Sequence, residues 1–289
     1  MVCINIEINH NPPQFKKYMN TKISGNQHET SYYEDDAIWS QDFNADPNER
    51  ARLVAATALI PSGTRSLLDV GCGNGAFLHC VGERVPTLHG IDRSVAALKY
   101  LRVPHTLASA DDLPFENGVF ETVSCLEVIE HLPQVTYQRA LRELTRVARN
   151  WILVGVPWRE NTAADRVTCP RCFCYFNRSY HLRSFDEPAM RTLFTEVDSS
   201  FTLTHLSTVG DSDVFLGLNT ARRLLDPFRR PRLPTGSICP QCGYCNGETS
   251  ATAISKRATE SGTIIRKLLP RMKRPRWYLG LYQKRADNV

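Results

Sequence analysis

The stretch Leu67–Leu78, LLDVGCGNGAFL, places three glycines directly after a short apolar run. The apolar run predicts a buried strand, and the residues after Gly75 predict a helix. Gly71, Gly73 and Gly75 would form the turn between them, where residues without a Cβ permit positive φ and let a ligand approach the backbone. Such a turn is typical of nucleotide-binding folds, but the glycines alone do not identify the ligand.

The segments around this turn alternate between apolar strands and helical patterns. This alternation predicts an α/β fold, a doubly wound and mostly parallel sheet with helices on both faces. The strand cores are continuous apolar runs, as expected for strands that are buried on both faces. Strands are predicted in SLLDVG (66–71), TLHGID (87–92), HTLASAD (105–111), FETVSCLEVIEHL (120–132) and WILVGVP (151–157).

Acidic side chains stand near the ends of these strands. Asp69 lies two residues before the first glycine, Asp92 ends the second strand, and Asp111 and Asp112 follow the third. In an open parallel sheet, ligands bind outside the carboxyl ends of the strands. A carboxylate at the position of Asp92 would there accept hydrogen bonds from ribose hydroxyls, and the segment CLEVIEHLP (125–133) ends the fourth strand.

With these elements in this order, residues 65–160 resemble the class I S-adenosylmethionine-dependent methyltransferases of the small-molecule type, which carry LDVGCGxG. The resemblance implies a Rossmann-like methyltransferase fold with S-adenosylmethionine as cosubstrate. It assigns Asp69 and the glycine turn to the methionine part, Asp92 to the ribose, and Asp112 or Asp111 to the adenine amine. Leu113 would pack on the adenine and Leu126 would lie near the sulfonium. The expected cofactor-binding set is Asp69, Gly71, Cys72, Gly73, Gly75, Asp92, Arg93, Asp111, Asp112, Leu113 and Leu126.

Two histidines are the candidates for a catalytic base. Methyl transfer displaces an already activated sulfonium, so the enzyme mainly aligns the nucleophile, and a base adds roughly 10²–10⁴-fold for an oxygen acceptor. His131 follows the fourth strand, and His181 lies in SYHLRSF. We expect His181 to face the acceptor, although a structural role is at least as plausible for either residue.

Two Cys-x-x-Cys pairs, CPRC and CPQC, predict a metal site. In a reducing compartment such spacing indicates metal binding rather than disulfides, and four thiolates close a structural Zn²⁺ site. Cys174 and Cys245 are surplus to this set.

The pattern resembles a subgroup of the same methyltransferases with a zinc-ribbon-like insertion after the fifth strand, bearing CPxCG and GHxRSF. Here CPRCF has Phe173 where CPxCG has its glycine, and SYHLRSF has Tyr180 where GHxRSF has its glycine. The expected ligands are Cys169, Cys172, Cys239 and Cys242.

The chain divides into four predicted regions by composition. These are an N-terminal cap segment 1–50, a methyltransferase core 51–221 interrupted by the first cysteine pair at 159–185, an Arg/Pro linker with the second pair at 222–250, and a basic tail 251–289. The chain has a net charge of +5, and Lys256–Val289 carries ten basic and two acidic residues, a net +8, which leaves −3 elsewhere. Such a tail suits nucleic acid or a peripheral membrane contact through Trp277 and Tyr278, unless it is solvated or packs back on the body.

Composition and partners together leave two main function classes. The chain has no apolar run of about 18 residues, so we expect no transmembrane segment, and its N-terminus does not resemble a signal peptide, which favours the cytoplasm. The first class is O-methylation of a small molecule or glycan in a biosynthetic pathway. The second is an RNA or protein methyltransferase that holds its polymer with the zinc element and the basic tail. A non-enzymatic binder is a third reading, against which the intact acids argue.

Overall fold

The computed structural model describes residues 32–163, 166–215, 233, 237–244 and 271–285. Within these ranges the α-helices are α1 (Asp36–Trp39), α2 (Pro47–Ala58), α3 (Ala76–Val81), α4 (Val95–Leu98), α5 (Gln134–Val147) and α6 (Glu187–Arg191), with 3₁₀ turns at Phe43–Ala45 and Gly82–Arg84. The strands are β1 (Ser66–Val70), β2 (Thr87–Asp92), β3 (His105–Leu107), β4 (Phe120–Leu126), β5 (Ala148–Pro157), β6 (Arg166–Thr168), β7 (Tyr175–Asn177), β8 (Phe201–Val209), β9 (Ser212–Phe215), β10 (Arg271–Arg274) and β11 (Trp277–Lys284).

Seven strands form the central sheet in the order β3-β2-β1-β4-β5-β11-β8. Strands β1 to β5 pair in parallel, and β11 pairs antiparallel with both β5 and β8. The predicted doubly wound, mostly parallel sheet is therefore confirmed. Two short antiparallel pairs, β6 with β7 and β9 with β10, lie outside it.

Helices cover both faces of the sheet. On one face α5 buries Leu141 and Leu144 against a core that includes Val123 and Ile152. On the other face Leu53 of α2 joins a second apolar cluster that holds residues of α3 and the sheet. Among the described residues no helix is long and apolar enough to cross a bilayer.

The segment Trp277–Lys284 differs from its prediction. The sequence reading placed it in a basic tail, but the structure places it inside the sheet as β11, between β5 and β8. Its run WYLGLY is buried on both faces, which leaves Trp277 4% and Tyr278 6% exposed. These two aromatic rings are therefore not available to a membrane surface. The sequence of residues 261–269 also predicts a helix in this tail, but these residues lie outside the described ones.

The start of α6 also differs from its prediction. The segment SFDEPAMRTLF (184–194) predicts a helix with Ser184 as its N-cap. In the structure the cap is Asp186, whose Oδ1 accepts a hydrogen bond from the Ala189 N–H at 2.9 Å. The physical reason is that Phe185 is extended: it forms a β-bridge with Trp158 and is buried. The helix can begin only after this bridge.

Candidate functional site

The glycine loop, Gly71–Gly75, turns the chain from the end of β1 into α3. Gly71 and Gly73 have φ of +76° and +53°, a conformation that other residues rarely adopt. The N–H groups of Gly71 and Cys72 donate to the Ile91 carbonyl at 2.7 and 2.9 Å, which ties the loop to β2. A Cβ at Gly71 would overlap the Val128 side chain, so the close approach requires glycine there.

Asp69 lies buried at the end of β1. Its Oδ1 accepts a hydrogen bond of 2.7 Å from the Ser124 hydroxyl on β4. Burial raises the pKa of this carboxyl to about 7; the hydrogen bond from Ser124 opposes the rise and the charge of Asp92 adds to it. A cationic group next to Asp69 would favour its ionised form.

Asp92 holds two pieces of backbone at the end of β2. Its Oδ2 accepts from the Gly73 N–H at 2.9 Å, and its Oδ1 accepts from the Ser94 N–H at 2.8 Å. Burial raises the pKa of Asp92, although these backbone hydrogen bonds lower it again. The side chain thus caps local backbone, and it also lies beside the glycine loop.

The remaining predicted cofactor residues lie on the neighbouring strand ends. Asp111 is half-buried and Asp112 is exposed, whereas Leu113 and Leu126 are buried. The Leu113 N–H donates to Glu143 Oε2 at 2.7 Å, which anchors this segment to α5. The two carboxyl groups after β3 are therefore accessible, and an apolar side chain stands directly after them.

The described part of the N-terminal segment packs over this edge of the sheet. The Glu34 carboxylate accepts from the N–H groups of Val95 and Ala96, each at 3.1 Å, at the start of α4. The Arg93 guanidinium lies over the Tyr33 ring at 5.3 Å. Trp39 lies against Gly73, close enough that a Cβ on this glycine would stand 2.6 Å from the indole. The cap thus closes over the glycine loop.

The two predicted catalytic histidines come together although 50 positions separate them in the sequence. The rings of His131 and His181 meet edge to face with centroids 4.6 Å apart. Tyr33 Oη lies 3.2 Å from Nδ1 of His131, and Glu160 contacts Nδ1 of His181. Burial lowers the pKa of His131 to about 3, with His181 and Arg93 adding to the shift, so this imidazole is neutral at physiological pH.

Two acids beside these histidines were not assigned a role from the sequence. Glu127 Oε2 accepts a hydrogen bond of 2.7 Å from Trp277 Nε1, while burial and then the charge of Glu127 raise the pKa of Glu130 well above its usual value. Glu127 also adopts φ of +58°. The sequence signal was present in LEVIEH, where two acids and His131 follow the fourth strand within five positions.

The four predicted metal-binding cysteines converge into one cluster, the cysteine centre. Sγ of Cys169 lies 3.7 Å from that of Cys242, and Sγ of Cys172 lies 3.5 Å from that of Cys239. Four thiolates at about 2.3 Å from a tetrahedral Zn²⁺ would lie about 3.8 Å apart. The described cysteines are all free thiols, so the distances fit a metal site rather than disulfides.

The two halves of this centre have the same backbone pattern. The N–H of Cys169 bonds to the Cys174 carbonyl as that of Cys239 bonds to the Tyr244 carbonyl, both at 2.9 Å. Gly243 has φ of +67°, and at the equivalent position Phe173 adopts φ of +58°. The turn therefore forms without a glycine in CPRCF, and Phe173 adopts the unfavourable positive φ in its place. Cys245 lies outside the described residues.

Comparison with known proteins identifies part of the chain. Residues 68–151 match the profile of a family described as a methyltransferase domain. A ubiquinone biosynthesis O-methyltransferase of Thiobacillus denitrificans is 36% identical over 83 residues, which cover 25% of this chain and 36% of that protein. One of the same name from Xanthomonas oryzae is 27% identical over 136 residues, covering 39% and 54%. The chain thus spans between about a third and about half of these relatives.

A solved structure extends the likeness to the whole fold. The 1,6-didemethyltoxoflavin-N1-methyltransferase of Burkholderia thailandensis, solved with 1,6-didemethyltoxoflavin and S-adenosylhomocysteine, aligns with a TM-score of 0.51 at 13% identity. The alignment covers 92% of this chain and 93% of that one. At this identity the likeness concerns the fold alone. Residues 68–151 therefore match a methyltransferase domain, and the described residues have a Rossmann-like methyltransferase fold.

Proposed function

We propose that this protein is an S-adenosylmethionine-dependent methyltransferase that methylates an oxygen atom of a small molecule or glycan. The observation that carries the proposal is the meeting of the glycine loop, Asp69 and Asp92 at one edge of the sheet, within the matched methyltransferase domain. A buried carboxyl with a raised pKa beside glycine backbone suits a cationic ligand group.

Each strand end has a part of the cofactor to hold. Asp69 would pair with the ammonium of the methionine part, and the free lone pairs of Asp92 would accept from the ribose hydroxyls. Asp112 or Asp111 would accept from the adenine amine, while Leu113 covers the ring. Leu126, the last residue of β4, would lie near the sulfonium.

The reaction is an in-line displacement at the sulfonium methyl. The acceptor oxygen forms a bond to the methyl carbon as the carbon–sulfur bond breaks, and the electron pair of that bond stays on sulfur. Alignment of the two reactants is the main task of the protein and is worth ~7–11 kcal/mol. His131 and His181 stand together after the end of β4. The low pKa of His131 makes it a weak base, so His181 would remove the acceptor proton.

A small acceptor fits the described surroundings better than a polymer does. The aromatic residues of the predicted tail, Trp277 and Tyr278, are buried in the sheet and offer no stacking surface to RNA. The names of two curated relatives refer to O-methylation in ubiquinone biosynthesis, which supports a small acceptor and an oxygen atom. We also infer that the cysteine centre holds one structural Zn²⁺.

Calorimetry with S-adenosylhomocysteine tests the cofactor assignment. We expect saturable binding to the full chain and about ten- to a hundredfold weaker binding by Asp92→Ala, the loss of charged hydrogen bonds worth about 1.5–3 kcal/mol. Asp198→Ala is a matched control, because Asp198 likewise caps local backbone, through the Ser200 N–H at 3.0 Å. Binding of NAD without any binding of S-adenosylhomocysteine would overturn the proposal.

A further inference from the structure

The acceptor side contains buried carboxylate oxygens that no donor reaches. Glu130 is 0% exposed, and neither of its oxygens has a hydrogen-bond partner among the described residues. Oε1 of Glu127 is also buried and has no hydrogen-bond partner among the described residues. Buried charged groups in proteins are paired or coordinate metals, because an uncompensated charge away from water costs several kcal/mol. The charge of the buried Arg52 guanidinium compensates the two acids in part, but no hydrogen-bond donor among the described residues reaches Glu130. The pair is therefore suited to protonation or to a further cation.

Two imidazoles are oriented toward these carboxylates. Nδ1 of His131 faces the Tyr33 hydroxyl, and Nδ1 of His181 contacts the Glu160 carboxylate. With its Nδ1 engaged, His181 has Nε2 left to offer to a metal. Nε2 of His131 lies 3.8 Å from Glu130 Oε1, and the His131 ring also makes a hydrogen bond with the Tyr180 backbone, which a metal bond would replace. In metal sites, the histidine ring nitrogen that does not bind the metal usually donates a hydrogen bond to a carboxylate, as Nδ1 of His181 can to Glu160.

We propose that Glu130, His131 and His181 bind one divalent transition-metal ion on the acceptor side of the site. One donor atom from each residue lies within 4.8 Å of the other two. Metal bonds of about 2.0–2.2 Å place two opposed ligands about 4.2 Å apart, so small side-chain shifts close the site. The unpartnered oxygen of Glu127 adds a second negative charge nearby.

The donor set selects the kind of ion. Two imidazole nitrogens and one carboxylate suit Mn²⁺, Fe²⁺, Co²⁺ or Zn²⁺, whereas Mg²⁺ and Ca²⁺ prefer all-oxygen sites. Three protein ligands leave coordination positions open for an exogenous oxygen. The side chains of His131 and His181 are 17% and 13% exposed, so such a ligand has a way in.

The use of this ion, though not its binding, rests on the proposed function. A hydroxyl bound at an open position loses its proton more readily, as metal-bound water does. The proton leaves to solvent, and the resulting oxygen attacks the methyl carbon while the carbon–sulfur bond breaks. In this arrangement the two histidines act together as metal ligands in place of the base described under the proposed function, which explains why the fold brings both of them to one place.

The ligands come from two parts of the chain that other contacts already join. The Leu182 N–H donates to the Glu130 carbonyl at 2.8 Å, and the His181 N–H donates to Asn177 Oδ1 at 3.4 Å. Tyr180 Oη donates to the Ile238 carbonyl at 2.8 Å, next to Cys239. The position of His181 is therefore fixed both by the loop after β4 and by the cysteine centre.

Manganese titration of the full chain, with its cysteine centre loaded with zinc, tests the site. The electron paramagnetic resonance signal of free Mn²⁺ should disappear until one ion per chain is bound. Glu130→Gln and His181→Gln should abolish this uptake, and Glu160→Gln should weaken it by about 10- to 100-fold. Glu121→Gln should bind as the native chain does, because Glu121 pairs with Arg65 at the start of β4.

Cofactor calorimetry on the same variants separates this proposal from the proposed function. Binding of S-adenosylhomocysteine should be unchanged in Glu130→Gln and His181→Gln, since the cofactor is held at β1 and β2. Mn²⁺ uptake that persists in Glu130→Gln, or a native chain that takes up none, would overturn the metal site and leave the methyltransferase proposal standing. If Glu130→Gln does not fold, His131→Gln provides the same comparison.

Discussion

Protonation of Asp69 links cofactor binding to pH. Its pKa of about 7 lies above the value near 3.9 of an unfolded chain, so between these values the folded protein binds more protons. The contribution of Asp69 to the free energy of unfolding therefore falls as pH rises from about 4 to 7, and is constant above. An ammonium bound beside the carboxylate would offset the cost of burying the ionised form of Asp69.

We accordingly expect affinity for S-adenosylhomocysteine to rise with pH between 5.5 and 7, by up to about tenfold per unit, and to level off above. The reason is that binding must first remove the proton from Asp69. Calorimetry at several pH values measures this slope, and Asp69→Asn, which cannot ionise, should bind weakly with no slope of this origin. An equal slope in Asp69→Asn would show that another group titrates.

Single residues also explain where sequence reasoning stopped. The loop from Gly71 to Gly75 and the acids around it could be predicted because their meaning lies in short spacings along the chain. Glu130 could not, because the absence of a hydrogen-bond partner is a property of the folded surroundings. The positive φ of Phe173 could not be predicted either. It results from a turn that has the same form as the turn containing Gly243.

At the scale of elements, β11 decides whether the sheet is complete. Leu279 is fully buried in the middle of this strand, and Tyr282 Oη donates to the Met190 carbonyl at 2.6 Å. Leu279→Ala should lower the free energy of unfolding by about 2–5 kcal/mol, measured by denaturant titration. The matched change Gln283→Ala, at an exposed position of the same strand, should have little effect.

A second version of the experiment removes the strand. A chain that ends at Arg276, and so keeps β10, should fail to give soluble protein, whereas a chain that ends at Arg285 should fold. A soluble, cooperatively folding product of the shorter chain would contradict the importance of β11. The strand escaped prediction because WYLGLY stands among basic residues, and only pairing with β5 and β8 reveals it.

At the scale of the whole molecule, the cysteine centre joins the segment after β5 to residues 237–244. Elemental analysis should find one zinc bound to its thiolates in each native chain and none in Cys239→Ser. The variant should also melt at a lower temperature, since a structural zinc contributes directly to folding. Cys80→Ser, which changes a half-buried thiol in α3, is the control and should keep its zinc.

The same variant tests whether the cysteine centre affects methyl transfer. Because Tyr180 connects the second cysteine pair to His181, Cys239→Ser should lower methyl transfer while it retains S-adenosylhomocysteine. A preparation that is free of metal and melts as the native chain does would contradict the structural zinc, as would a disulfide between the two pairs.

The position of β11 has a consequence for biosynthesis. Residues 158–276 separate it from its neighbour β5, and among the described strands of the sheet it is the last to be synthesised. Until then β5 and β8 each present an unpaired edge, which is the kind of surface that recruits other chains. The described sheet can therefore close only after β11 has been synthesised, and the growing chain exposes both edges throughout that interval.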